Sequence, residues 1–195
     1  MTDATALHHS TRSVLRSGLE RFDAAVAAVP ANGWDAPTPC QDWTAGHLVG
    51  HLVDDLHFAL DVIAGREHTF AEDPRTLAGP DPGLAWRVAC DRLAPLVAQA
   101  DLDTVDQTPL GPRPKGWRLA FPATDLHLHA WDLGRAFGTD LPVAVEAQSL
   151  SHAVLDELPE QALRSPGVFG PAVDLPADAQ DHDRFLAWAG RDPRS

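Results

Sequence analysis

A carboxylate and an imidazole stand four residues apart in the segment FPATDLHLHAWDLGRAFG, residues 121–138. On an α-helix, side chains at this separation lie about 5–6 Å apart on one face, so Asp125 and His129 could hold one cation together. His127 lies roughly 200° around the helix from His129 and cannot join them. A site for a single catalytic ion needs at least one further ligand. That ligand must come from elsewhere in the chain.

Another helical segment, DWTAGHLVGHLVDDLHFAL, offers further donors. His47, His51 and Asp55 follow one another at four-residue steps and therefore share a face. A His47–His51 pair is the main alternative to a ligand set built on the later helix. Asp55 is a candidate for a carboxylate at the rim of the site or in contact with a ligand.

Asp132, three residues after His129, has two interpretations. It could be a fourth ligand, or it could accept a hydrogen bond from the imidazole N–H. Alternatively it is a surface acid paired with Arg135, three residues further on. We favour the surface ion pair.

These residues must be positioned by helices, because apolar residues recur at three- and four-residue spacing along most of the chain. The pattern predicts helices over about 11–29, 43–64, 84–100, 122–137 and 143–158, and a short one over 181–190. Pro122 suits the first turn of the fourth helix and Gly138 the residue after its end. In the third helix, Pro95 predicts a bend. The predicted core positions of that helix are Leu84, Val88, Leu93, Leu96 and Val97.

The connection from Asp101 to Pro122 is predicted to be irregular. Its second half, LGPRPKGWRLAFP, contains three prolines, which a helix does not sustain. The run Trp117–Phe121 is at most a weak strand or extended segment.

Composition and charge limit the class of protein. With 195 residues and 44% hydrophobic side chains, the chain can fill one core and leaves little for a second large domain. A net charge of −13 argues against nucleic-acid binding and against an anionic membrane surface. No apolar run reaches membrane-spanning length, and residues 1–10 do not resemble a signal peptide. We therefore expect a cytoplasmic protein.

The two cysteines, Cys40 and Cys90, do not make a disulfide framework and are expected as free thiols. Asp42 is a plausible N-cap for the second helix, which places Cys40 just ahead of a helix N-terminus, where a thiol pKa can fall. A catalytic cysteine is conceivable there. Without an adjacent His or Lys to activate it, we interpret Cys40 as a small residue buried in a tight turn.

Three ordered motifs, TPCQDWTAGHLVGHL, DLHLHAWDLGRA and FGPAVDLPADAQDHDRFLAWAGRDP, together resemble the DinB superfamily. Within it they are similar to the mycothiol-dependent maleylpyruvate isomerase N-terminal family, in its short-tailed metal-binding branch. The resemblance covers nearly the whole chain. It implies one all-α domain over residues 1–195, a DinB-like four-helix bundle with an additional C-terminal helix and irregular crossover segments. Residues 1–10 are expected to be flexible, and 159–195 to form an extension packed on the bundle.

Carried over position by position, the family's metal ligands fall on His51, Asp125 and His129. The characterised isomerase has Glu where this chain has Asp125, and the shorter carboxylate reaches less far. Two imidazoles and one carboxylate leave coordination positions open, as in catalytic sites. Zinc is the expected divalent metal, and nickel or iron also suits these ligands.

The family's chemistry implies that the ion activates a low-molecular-weight thiol, mycothiol or a similar one, by favouring the thiolate. The leading hypothesis is thus a metal-dependent S-transferase or isomerase in which that thiol attacks an electrophilic small molecule. One alternative is a hydrolase or lyase that uses metal-bound water. Another is a non-enzymatic bundle that binds a metal or small ligand. Members of the family are often dimers, so the resemblance also suggests a homodimer.

The resemblance further suggests where substrate contacts lie. In related folds the crossover between the third and fourth helices passes close to the metal, which makes Arg113, Lys115 and Trp117 candidates for the substrate rim. In the two-domain isomerase a C-terminal domain supplies part of the pocket, and we expect those contacts to be absent here. Arg184, in DHDRF, is a candidate to bind an anion in their place.

Overall fold

Four long helices carry the hydrophobic core of the protein. In the computed structural model, which describes residues 4–165 and 168–194, these helices are α1 (Ala4–Ala27), α2 (Ala45–Ala64), α4 (Pro82–Val97) and α5 (Lys115–Ala136). Helix α1 packs against α4 and α5, and α2 packs against the same two, so the four close into a bundle. The other elements, in chain order, are α3 (Arg75–Ala78), β1 (Val105–Thr108), β2 (Gly111–Pro114), α6 (Val145–Leu155), α7 (Glu160–Leu163) and α8 (Asp181–Trp188).

Helix α2 is fixed at both ends by local hydrogen bonds. Thr44 is its N-cap, and the backbone N–H of Thr44 donates to Nδ1 of His47 at 3.0 Å, forming a capping box. Gly65 ends the helix in the left-handed conformation, with φ of 69°. The predicted N-cap, Asp42, is wrong: it precedes the helix with φ of 65°. The buried stripe of α2 includes Leu48, which lies in the core.

Helix α5 begins seven residues before the predicted start, so Pro122 lies inside it rather than in its first turn. The expected extended segment Trp117–Phe121 is therefore wrong. Pro122 removes one backbone hydrogen bond, but the turns before it are anchored by tertiary contacts. The N–H groups of Lys115 and Gly116 donate to carbonyls of the preceding connection at 2.8 and 3.0 Å. Trp117 is also buried in the core.

The crossover before α5 is more regular than the sequence predicted. Strands β1 and β2 form an antiparallel hairpin in which Val105 pairs with Pro114 and Thr108 with Gly111. The Thr108 hydroxyl accepts from the N–H of Leu110 at 3.1 Å, and Gly111 has a φ of 88°. A side chain that stabilises the turn and a glycine in the left-handed region explain how a proline-rich segment forms a hairpin.

The side of helix α4 that faces the core overlaps only partly with the predicted one, since Leu93 and Val97 are buried as predicted. Leu84, Val88 and Leu96 are exposed, at 51%, 51% and 44%, so these three core predictions are wrong. The buried side consists of Trp86, Ala89, Leu93 and Val97. Apolar residues occur all round this helix, and Trp86, which packs edge-on against Phe22 of α1, determines which side turns inward.

The described residues near both ends of the chain pack on the bundle. Residues 4–10, predicted to be flexible, form the first turns of α1, whereas residues 1–3 lie outside the described residues. Near the other end, Phe169, Phe185 and Leu186 are buried in the same core as the long helices. The segment from 168 to 194 therefore covers one side of the bundle. Among the described residues, no helix combines the length and hydrophobicity needed to cross a membrane.

Close packing of α1 on α5 depends on Gly18. A Cβ atom at this position would lie 2.9 Å from Cβ of Leu126 and 3.2 Å from the carbonyl oxygen of Ala123. Contacts of this kind allow α5, which carries two of the candidate ligands, to lie against α1.

We expect Gly18→Ala to lower the free energy of unfolding by about 1–2 kcal/mol, because overpacking exceeds the gain of about 1 kcal/mol in helix propensity. Urea unfolding followed by circular dichroism measures the difference. Glu20→Ala, at an exposed position of the same helix, serves as the control. Increased stability of the Gly18 variant would show that α1 does not need this close approach.

Candidate metal centre

His51, Asp125 and His129 converge where α2 meets α5. Nε2 of His51 lies 2.7 Å from Oδ2 of Asp125, and Nε2 of His129 lies 3.4 Å from the same oxygen. One donor atom from each side chain falls within 4.8 Å of the others. The structure thus brings together the three residues that the resemblance implied. Because one helix supplies one ligand and the other two, the site depends on the packing of the bundle.

The spacing of these donors suits an ion with short bonds to nitrogen and oxygen. Around a tetrahedral zinc ion with bonds of about 2.0–2.1 Å, neighbouring ligand atoms lie roughly 3.3 Å apart. The distance from His129 to Asp125 matches this value, and the shorter one from His51 to Asp125 is that of a direct hydrogen bond. A small outward movement of the His51 imidazole would admit the ion. The residues present therefore fit a divalent metal.

His129 is held in one orientation by a buried acid. Its Nδ1 lies 2.9 Å from Oδ2 of Asp132, which has no exposed surface. With Nδ1–H donating to that carboxylate, the lone pair of Nε2 faces Asp125 and His51. This arrangement is typical of histidines that bind metals.

The interpretation of Asp132 as a surface acid paired with Arg135 is wrong. The carboxylate of Asp132 accepts hydrogen bonds from the guanidinium of Arg191, at 2.9 and 3.4 Å. Arg191 is 7% exposed and comes from the segment after α8. Spacing along α5 could not reveal this partner, because it is 59 residues away in the sequence.

Two further side chains border the three candidate ligands. Oδ2 of Asp55 lies 4.0 Å from Nε2 of His51, on the same face of α2, as the four-residue spacing predicted. The indole of Trp43 covers the imidazoles, with ring centroids 5.1 Å from His51 and 5.9 Å from His129. Trp43 therefore limits the access of water to one side of the centre.

The charges of these groups are strongly linked. Burial alone would lower the pKa of His129, but Asp125, and after it Asp132, raise that pKa well above its usual value. Burial alone would raise the pKa of Asp125, but His129 and His51 lower it well below its usual value. Burial raises the pKa of Asp55 to about 7. Without an ion, the centre is thus a buried cluster in which imidazolium and carboxylate stabilise each other.

The alternative His47–His51 pair is not formed. His47 is used in the capping box of α2, where its Nδ1 accepts from the backbone of Thr44. His127 points to the opposite side of α5, as predicted, and its Nε2 lies 3.1 Å from the carbonyl oxygen of Val14. Burial lowers the pKa of His127 to about 4, so the ring is neutral at physiological pH.

Cys40 lies beside the centre rather than in it. Its Sγ is 3.1 Å from Oδ2 of Asp132 and 3.8 Å from Nδ1 of His129. These three donors could in principle hold a second ion, but the guanidinium of Arg191, 3.5 Å from the sulfur, would repel one. Burial and the charge of Asp132 raise the pKa of the Cys40 thiol. Cys40 lies partly buried in the turn before α2, in line with our interpretation, and the alternative of a thiol activated by a helix N-terminus is wrong.

A cavity of about 610 Å³ opens from the candidate ligands towards the surface. His51, Asp55, Asp125 and His129 line one end of it. The rest of its wall comes from the turn at 39–43, from α5 and α6, and from the segments 168–173 and 190–192. A small organic molecule could therefore reach the centre.

The four residues predicted to contact substrate do not line this cavity. Cζ of Arg113 lies 5.0 Å from the ring centroid of Trp117, and Nη2 of Arg113 lies 3.5 Å from Oε2 of Glu157. The ammonium group of Lys115 donates to the carbonyl of Ile63 at 3.0 Å.

Arg184 is also away from the cavity. Its guanidinium donates to the carbonyls of Ala177 and Ala179, so it fixes the turn before α8. The hairpin, which makes the crossover more compact than expected, explains why the first three candidates lie elsewhere.

Sequence patterns did not identify Trp43 or Arg191 as part of the site. Trp43 precedes a helix and shows no periodicity with the ligands, and Arg191 follows a glycine near the chain end. The only signal for either was its presence in a motif that resembles the family, AGRDP for Arg191 and DWTAGH for Trp43.

Comparisons with known sequences identify the family of the chain. The model of the mycothiol maleylpyruvate isomerase N-terminal domain family matches residues 15–134. An uncharacterised protein of Mycobacterium tuberculosis, from strains CDC 1551 and H37Rv, is 30% identical over 185 residues, which cover 90% of this chain and 94% of the relative. Another uncharacterised protein of that organism is 34% identical over 96 residues, which cover 40% of this chain and 37% of its own.

Two solved structures share the fold. The crystal structure of a mycothiol-dependent maleylpyruvate isomerase superposes with a TM-score of 0.57 and 18% identity, over 69% of this chain and 64% of that one. A histidine-to-alanine mutant of a mycothiol-dependent maleylpyruvate isomerase gives a TM-score of 0.59 and 15% identity, over 89% and 78% of the two chains. The chain is thus shorter than these enzymes, and its helical bundle is DinB-like. It belongs to the mycothiol maleylpyruvate isomerase N-terminal domain family.

Proposed function

We propose that the protein is a metal-dependent enzyme that joins or rearranges small electrophilic molecules with a low-molecular-weight thiol, of the mycothiol type. The observation that carries this proposal is the convergence of His51, Asp125 and His129 at the inner end of a cavity large enough for organic ligands. Three protein ligands leave positions on the ion open, as catalytic centres require. Zinc is the metal that we propose, because this donor set suits it without redox chemistry.

A bound ion would supply positive charge that favours loss of the proton from a thiol. The protein side chains have separate tasks. His51, Asp125 and His129 would hold the ion, and Asp132 fixes the ring of His129 through its Nδ1–H. Trp43 covers the two imidazoles and limits the access of water.

Asp55 is suited to accept the proton of the incoming thiol. Its carboxylate lines the cavity and lies 4.0 Å from Nε2 of His51. In the metal-free centre burial raises the pKa of Asp55 to about 7, and a bound cation would lower that pKa and keep the carboxylate ionised, as a general base requires. The nucleophile comes from the thiol, so no protein nucleophile is needed.

The carboxylate of Asp55 also supports a second candidate function, that of a hydrolase or lyase. The carboxylate of Asp55, which lines the cavity beside His51, could also take a proton from metal-bound water. We favour the organic thiol because the family whose model matches this chain is named for a mycothiol maleylpyruvate isomerase. The solved structure that shares the fold is that of a mycothiol-dependent isomerase, which supports the same choice.

Removal of either histidine should abolish stoichiometric metal binding. We expect purified His51→Ala and His129→Ala proteins, incubated with one equivalent of zinc and desalted, to retain little metal, because each loses one of three ligands. Elemental analysis measures the content, and circular dichroism checks the fold. His9→Ala, which changes an exposed histidine, is the matched control. Full retention of zinc by both site variants would refute the proposed ligand set.

Metal affinity should rise with pH. The carboxylates raise the pKa of His129 in the metal-free protein, and an ion binds only the neutral ring, so binding releases a proton. Between pH 6 and pH 8 we expect the affinity for zinc to increase, by up to about ten-fold per pH unit for each proton released. Calorimetric titrations in two buffers with different ionisation enthalpies count the protons. A pH-independent affinity without proton release would contradict the linkage.

Binding of a thiol should change the spectrum of the cobalt-substituted protein. We expect mycothiol to produce a sulfur-to-cobalt charge-transfer band, because the thiolate is a metal ligand. S-methyl mycothiol, which cannot form a thiolate, should produce none. Loss of the response in His129→Ala would assign it to this centre. Product formation that proceeds equally without thiol would favour the hydrolase or lyase.

A further inference from the structure

The wall of the cavity indicates which electrophiles the enzyme accepts. We propose, on the basis of the function proposed above, that the cavity selects an uncharged, largely apolar electrophile and rejects one that carries a carboxylate. The inference depends on what lines the cavity and on how each charge in it is already balanced.

Most of the wall facing the centre is apolar. Aromatic and aliphatic side chains from α5, α6 and the segment 168–173 form a continuous side of the cavity, namely Phe121, Leu128, Leu155, Val168, Phe169, Pro171 and Val173. Contact with such a surface stabilises apolar parts of a ligand by removing them from water.

Among the described residues that line the cavity, Arg191 is the sole cationic side chain. Its guanidinium donates to both oxygens of Asp132, to the carbonyl of Ala189 at 2.8 Å and to Sγ of Cys40 at 3.5 Å. The side chain lines the cavity but is only 7% exposed. Four of its five N–H groups are engaged in these contacts and its charge is balanced by the buried Asp132, so turning Arg191 fully towards a substrate carboxylate would leave Asp132 as an unpaired buried charge.

The acidic groups of the cavity leave no excess positive charge either. The carboxylate of Asp125 and the proposed thiolate together balance the two charges of a divalent ion, and Asp55 adds no positive charge in either protonation state. The third acid, Asp192, binds Arg194 at 2.8 and 3.0 Å. In the proposed reaction the thiol takes the open position on the ion. A carboxylate on the electrophile would therefore enter without a partner and lose its hydration.

The cations that the sequence suggested for anion binding do not change this balance. Arg113, Lys115 and Arg184 lie outside the cavity and are held by contacts with Glu157, Ile63 and the turn before α8, respectively. The name of the related enzyme indicates a carboxylate substrate. The cavity of this chain therefore differs from what that name would suggest.

Two isosteric compounds that differ only in charge test the inference without requiring turnover. We expect the zinc-loaded protein, with saturating mycothiol present to occupy the open position on the ion, to bind 3-nitrobenzamide at least about ten-fold more tightly than 3-nitrobenzoate at pH 7.5, measured by equilibrium dialysis. Neither compound has a leaving group, so both remain intact. Equal binding of the two, or tighter binding of the benzoate, would overturn the proposal.

An introduced cation should reverse the preference. Val168, which lines the cavity and is 49% exposed, can be changed to arginine without disturbing the core. In Val168→Arg we expect the affinity for 3-nitrobenzoate to increase until it equals or exceeds that for the amide. Val105→Arg, on the exposed strand β1 and outside the cavity, should keep the ratio of the parent protein. An unchanged ratio in the folded Val168 variant would argue against selection by this wall.

Turnover then separates this inference from the proposed function. With mycothiol, 4-chloro-3-nitrobenzamide can form a carbon–sulfur bond as chloride leaves with the bonding electron pair and the thiol proton passes through Asp55 to solvent. We expect the rate enhancement over the uncatalysed reaction to be at least about ten-fold larger for the amide than for 4-chloro-3-nitrobenzoate. Amide-selective binding without any enhancement would reject thiol transfer and keep the selectivity, whereas equal enhancement of both would reject the selectivity and keep thiol transfer.

Discussion

The centre of this protein depends on the contact of one carboxylate with imidazoles from two helices. Asp125 approaches His129 on its own helix and His51 on α2, and all three are largely buried. Such a cluster is costly to remove from water unless its charges are paired. The packing of α2 on α5 must therefore be retained, and a bound ion would replace the imidazolium as the partner of the carboxylate. The packing of α2 on α5 therefore determines both the shape of the bundle and the positions of the three candidate ligands.

The position of His129 also depends on two further charged side chains, Asp132 and Arg191, the second of which comes from the last part of the chain. Asp132 contacts His129 on one side and Arg191 on the other, and all three side chains are nearly inaccessible to solvent. The segment after α8 therefore does more than cover apolar surface. It supplies the cation without which the acid that orients His129 would be a buried, unpaired charge.

The sequence was informative where local spacing determines structure. The prediction of an all-α, DinB-like bundle is confirmed, and the four-residue interval between Asp125 and His129 does place them on one face of α5. Sequence patterns gave wrong predictions where contacts between residues far apart in the chain determine the structure. The start of α5 before Pro122 depends on hydrogen bonds to the preceding connection, and the inward side of α4 depends on Trp86. The partner of Asp132 could not be predicted because periodicity carries no information on residues 59 positions apart.

The candidate ligands belong to the bundle, whereas part of the cavity wall belongs to the segment 168–194. This separation affects how the specificity of such proteins can change. The candidate ligands lie on two helices, while residues 168–173, which belong to no helix or strand, form part of the cavity wall. Changes in this loop can alter ligand preference without moving the helices, provided that the arginine behind it is kept. Related genes could therefore acquire new specificities by varying a few loop positions, and a designer could graft alternative loops onto one unchanged scaffold.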